Sequence, residues 1–233
     1  MAQAPKRNTR RGGAGADGAP PLRDRIIDAT MALLAERRIG EIGLGDIAAA
    51  ADVPLGALRE TFDGKLGILA AFTRRIDLAV LAGPAPDMEA GPRDRLFEAE
   101  MRRLDALAPY KAALRGLAGS ARRDPALACA LHRLAARAQK WTLAAAGIDH
   151  GGMLGRLGVE GAVMIHGETL RVWLDDDDPD LGRTMAALDR ALRRGERAMR
   201  FLDDACTSVS RVLDCGRRLR ERGRAARSVP EEA

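Results

Sequence analysis

From residue 22 the apolar positions return at helical spacing: Leu22, Ile26, Ala29, Leu33 and Leu34, with Thr30 among them, predict an amphipathic helix over 22–38. The stretch RRIGEIGLGD, 37–46, then reads as a turn. LGDIAAAA predicts a short helix at about 44–51, and Asp52-Val53-Pro54 breaks it. Pro54 suits the first turn of the next helix, where a missing N–H costs nothing. That helix runs to about Thr61, and Lys65 opens a longer one to about Leu81. GPAPDMEAGP, 83–92, marks a boundary. Helical periods resume at about 93–107, 109–121, 124–146, 151–174, 179–202 and 203–225. Asp178-Pro179 reads as the start of the fifth of these, with Asp as N-cap and Pro at the first helical position. Residues 1–21 have no apolar period and read as a disordered basic arm, and 226–233 as a frayed tail.

Composition sharpens this into an all-α class. Aromatics are only 3% of the 233 residues, and β-branched runs are nearly absent. No apolar run is long enough to span a bilayer, and the N-terminus lacks the apolar region of a secretory signal. Cys129, Cys206 and Cys215 show no paired spacing, which fits a reduced, cytoplasmic protein. His132, His150 and His166 make no zinc motif. There is no nucleophile elbow, no phosphate loop and no Cys/His pairing, and GEIGLGD lies between helices rather than after a strand. The expectation is a protein without catalysis, metal or cofactor.

The formal charge of +5 is unevenly placed. Lys6, Arg7, Arg10 and Arg11 stand in the first eleven residues with no acid, and 211–233 hold seven basic and four acidic residues. Residues 22–77 carry eight basic and nine acidic side chains. The excess positive charge sits in the tails, so the folded head has little general attraction for phosphate.

Two short helices joined by a tight turn have helix-turn-helix spacing. Ile47, Ala51, Val53, Leu58 and Phe62 are placed to lock that pair against Ile26 and Leu33. The whole stretch from Leu22 to Leu81 resembles the N-terminal domain of TetR-family transcriptional regulators. The likeness rests on RDRIIDATMALLAE, LGDIAAAADV and GALRETFDGKLGILAAF, with Asp46-Ile47-Ala48, Ala51, Val53, Gly56, Leu58, Phe62, Lys65 and Leu69 as matching marks. It implies a three-helix DNA-binding head, a C-terminal helical bundle and a homodimer. The chain departs from the family where hydroxyls and cations usually hold phosphates. Ile42-Gly43 stands for Thr-Ser, Pro54-Leu55-Gly56-Ala57 for Ser-Lys/Arg-Gly-Thr, Arg59 for Tyr, and Thr61 for His or Tyr. The DNA-contacting candidates are therefore Leu55, Gly56, Arg59, Thr61 and Lys65, with the basic arm.

The body, 93–225, offers a second resemblance. Trp173, Asp176, Asp178, Pro179, Asp180, Thr184, Leu188, Asp189 and Arg190, with Trp141 upstream, resemble the C-terminal region of the ubiquinone-biosynthesis accessory family. That likeness implies a TetR-like fold that binds lipid or isoprenoid and docks on membranes through a C-terminal amphipathic helix. The acidic run 175–180 lacks the alternating oxygens, glycine turn and closing Glu of a calcium loop, and reads as a helix-capping, solvated turn. An apolar ligand would find Met101, Leu104, Trp141, Leu154, Met164, His166, Trp173 and Met185; side chains of these types more often make a plain core. The helix at 203–225 is basic and amphipathic, fitting a dimer interface or peripheral membrane contact. Two functions remain: a DNA-binding regulator that senses an apolar ligand, or a lipid-binding accessory protein that keeps the fold without DNA.

Overall fold

The structure, a computed structural model, describes residues 20–148 and 151–201. Those residues contain helices and turns but no strand. The head holds α1 (Leu22–Glu36), α2 (Leu44–Ala50), α3 (Leu55–Thr61) and the first half of α4 (Lys65–Leu81). The body holds α5 (Pro92–Leu107), α6 (Lys111–Ala121), α7 (Pro125–Ala145), α8 (Gly152–Leu174) and a helix α9 at 182–201. Single 3₁₀ turns sit at Ile39–Glu41 and Ala108–Tyr110. The helix expected at 203–225, the basic arm and the frayed tail lie outside the described residues. None of the described helices is long and apolar enough to cross a membrane.

Head and body are not separate cores. Ile26, Ile47, Leu58 and Phe62 of the head share one buried cluster with Leu104, Leu117, Trp173 and Leu174 of the body. Val53 and Leu33 pack against it from its edge. The joint is close: α6 lies on α1, and a Cβ at Gly116 would run into the carbonyl oxygen of Leu34. Beside it, Arg75 of α4 donates to Asp28 of α1 (2.7 Å) and to the Tyr110 hydroxyl (2.9 Å), while Phe72 meets Tyr110 edge-on at 4.9 Å. A second cluster of Leu96, Ala99, Ala146, Leu188 and Leu192 joins α5, α7 and α9.

The acidic run holds the corner between α8 and α9. The expected start of α9 at Asp178-Pro179 is corrected: Asp178 accepts from the Asp180 amide (3.0 Å), Leu181 turns to φ +49°, and the helix begins at 182. The cap comes instead from buried Asp176, whose carboxylate accepts from the Thr184 amide (2.9 Å) and hydroxyl (2.6 Å). Asp177 meets Lys111 (3.3 Å) and Arg115 (3.1 Å) of α6, and these cations also donate to the carbonyls of Asp176 and Leu174. Asp176, Asp177 and Asp178 are thus spent on a cap, ion pairs and a turn.

Two predictions follow from the packing. Gly116→Ala forces α1 and α6 apart and lowers stability in urea unfolding by about 1–3 kcal/mol. Gly119→Ala, where a Cβ meets nothing within 4 Å, gains up to ~1 kcal/mol from helix propensity. The second prediction concerns acid. The Thr184 hydroxyl chiefly holds the Asp176 carboxyl below its ordinary value of 3.8, with the Thr184 and Asp178 amides and Arg183 assisting against the effect of burial. A carboxyl whose folded pKa is depressed contributes stability above its unfolded pKa and loses it as pH falls through the folded one. Urea midpoints measured from about pH 5 to about pH 2 therefore fall in the parent and fall less steeply in Asp176→Asn.

Candidate functional site

The turn between α2 and α3 is built from backbone geometry. The Val53 amide donates to Ala48 O (3.0 Å) and the Asp52 amide to Ala49 O (3.1 Å), with Asp52 in the left-handed region at φ +53°. This is the Schellman arrangement, with Asp where glycine is commonest. Arg25 of α1 reaches across and donates to Ala51 O (2.7 Å) and Asp52 O (2.6 Å), placing a cation on the carbonyl end of α2. At the other end of α2, Asp46 accepts from the Gly43 amide (2.8 Å), but glycine has no side chain to return the bond. Leu58 and Phe62 are buried beneath α3, so its opposite face points outward.

That outward face carries little to hold DNA. Leu55 and Gly56 are exposed, and a Cβ on Gly56 would meet nothing within 4 Å. Arg59 is exposed but paired with Asp63 at 2.7 Å. Glu60, Asp63 and Asp52 are exposed as well, giving three acids to one cation along the helix and its flanking turns. The Thr61 hydroxyl donates back to Ala57 O (2.7 Å). Lys65 is turned inward: its ammonium donates to Ile39 O (2.6 Å) and Ile42 O (3.0 Å), tying the start of α4 to the segment that enters α2. Of the five DNA candidates, Leu55, Gly56 and Arg59 share the open face, while Thr61 and Lys65 spend their polar groups inside the head. Arg23 lies over the Phe62 ring (4.7 Å).

The apolar-ligand candidates divide. Trp141 and Met164, both more than half exposed, line an apolar cavity of about 970 Å³ among α5, α7, α8 and α9. Met101, Leu104, His166 and Trp173 do not line it. Leu104 and Trp173 are buried in the shared core, and Met101 packs between the two clusters. Met185 stands exposed on α9. His166 Nδ1 meets Glu100 at 2.9 Å. Residue type drew these side chains together in the sequence reading; the fold assigns most of them to packing.

The sequence reading missed a buried polar cluster. Arg103 of α5 donates to Asp77 of α4 (2.6 Å), to the Thr142 hydroxyl (2.9 Å) and to Ala138 O (3.3 Å) of α7. One turn earlier stands Glu100, whose Oε1 meets no partner among the described residues, nor do the side-chain atoms of buried Gln139. The signal was present: Arg95, Glu100 and Arg103 fall on the same face of α5 as Leu96, Ala99, Leu104 and Leu107. Charged residues inside an apolar stripe must find partners in the interior.

No family model matches the chain, and no curated protein matches it. Solved structures do. A TetR transcriptional regulator from Nitrosomonas europaea is 24% identical, with 76% of this chain and 99% of that one covered at a TM-score of 0.59. A TetR-family regulator from a Rhodococcus species is 23% identical over 76% of this chain and 98% of the other, at 0.50. Another, from Rhodococcus sp. RHA1, is 17% identical over 75% and 95%, also at 0.50. At these identities the likeness establishes the fold, and the chain has the all-helical architecture shared by these TetR regulators.

Proposed function

We propose that this chain is a transcriptional regulator without catalytic activity. Its head binds operator DNA through α3 as part of a homodimer, and an apolar ligand in its body alters that binding. The observation that carries the reading is the intact helix-turn-helix, with α3 held on buried Leu58 and Phe62 and its other face open. A seven-residue helix with one exposed cation makes few contacts, so a twofold dimer reading two half-sites supplies what one head lacks. The continuous core from α3 to α8 gives ligand occupancy a physical route to the head, through differential affinity for two arrangements.

A second reading is a lipid-binding accessory protein that keeps this fold without reading DNA. What favours it is the acidic balance of the α3 face and the engagement of Lys65 by carbonyls.

Fluorescence anisotropy with the upstream intergenic duplex, against a scrambled duplex, separates the two across about 0.05–0.2 M salt. The regulator binds its own duplex selectively at the higher salt. Arg59→Ala then weakens it by about tenfold, as expected for one lost base or phosphate contact. Gly43→Ser restores a capping hydroxyl at the DNA-side end of α2, raising stability by a few tenths of a kcal/mol and tightening binding. Equal binding to both duplexes, erased by salt, leaves only the basic tails touching phosphate and supports the accessory protein.

A further inference from the structure

The cavity beside α8 has a chemical bias that its apolar walls alone do not reveal. Leu96, Leu143, Ile165 and Leu192 form its interior, with Trp141 and Met164 toward solvent. Glycines open it: Gly158 and Gly161 line it, and a Cβ at either would meet nothing within 4 Å. Its lining also contains five cations and two acids. Glu196 is paired with Arg200 (2.5 Å) and Glu160 meets His132 Nε2 at 3.1 Å, which leaves the lining with an excess of cations. Arg93 is matched by Asp94 (3.2 Å). Arg137, Lys140 and Arg156 have no ion-pair partner among the described residues.

We infer that this cavity takes an amphipathic anion, a long apolar chain ending in a carboxylate, with the chain along α8 and the head at Arg137, Lys140 and Arg156. Charge selects this occupant over the chain's own continuation. Ala198, Met199 and Arg200 line the cavity just before the described residues end, but the continuation, 202–233, carries seven basic and six acidic residues and so brings no net negative charge to set against the cations. A second copy packed about a twofold would bring the same three cations to the cleft. An anionic amphiphile buries the apolar walls and neutralises the cations together. The volume lies in the usual range for small-molecule sites. The inference rests on the proposed reading only in that the body binds a ligand; it does not require DNA.

The test uses the full chain without DNA and a fluorescent polyene fatty acid as probe, compared with the neutral alcohol of the same chain. At low salt the carboxylate binds about tenfold more tightly than the alcohol, since each exposed ion pair adds a modest increment. About 0.5 M salt narrows the difference. The double variant Arg137→Glu, Lys140→Glu loses the preference and still binds the alcohol. Gly158→Leu fills the cavity, keeps its helical melting curve and binds neither probe. Equal affinity for acid and alcohol, a preference untouched by the double variant, or probe binding undiminished in a folded Gly158→Leu each overturns the inference. Selective carboxylate binding that leaves operator affinity unchanged would overturn ligand control of DNA binding and leave this site standing.

Discussion

The carbonyl of Leu34 occupies the place a β-carbon on residue 116 would need, and the rest of the molecule is arranged around that contact. It lets α6 lie directly on α1, so the head cannot shift as a separate bead on a linker. Ile26 and Leu34 bury toward the same cluster as Leu117 and Trp173. Arg75 and Tyr110 close one flank of the seam, and the Arg103–Asp77 pair ties the far half of α4 to α5 and α7. Interiors packed in this way pass a shift from one element to the next rather than absorbing it. α4 and α1, against which α2 and α3 sit, are thus packed directly on the body.

The open face of α3 has helix-turn-helix geometry and few of the cations that hold phosphate. Backbone bonds fix the turn, and Arg25 clamps its carbonyls from behind. Yet the exposed side chains of α3 and its flanks carry more acid than base. The sequence places its unbalanced cations elsewhere, in the first eleven and last twenty-three residues. Within the body the reverse holds: cations without an ion-pair partner among the described residues line an apolar hollow.

Much of the fold was legible because helical period and turn chemistry are local. The apolar spacing located α1 to α8 within a residue or two, and Asp52-Val53-Pro54 marked the turn. The candidate site was less legible, because long side chains choose partners through space. Lys65 read as a surface cation at a helix start, but its ammonium reaches carbonyls more than twenty residues upstream. Asp178-Pro179 matched the local pattern of a helix start, whereas the cap came from Asp176, two residues earlier and buried against Thr184. Trp173 and Leu104 were grouped with Trp141 by type, and only packing separates a core tryptophan from one at a cavity mouth. The charged positions inside the α5 stripe were readable as buried, but their partners on α4, α7 and α8 were not.

The central claim is that the head still reads sequence, and footprinting on genomic fragments enriched by the purified protein tests it most directly. The account predicts enrichment of a few fragments, each with a protected twofold site whose half-sites lie about one helical turn apart. Uniform recovery of fragments, with no protected site at any protein concentration, would contradict it.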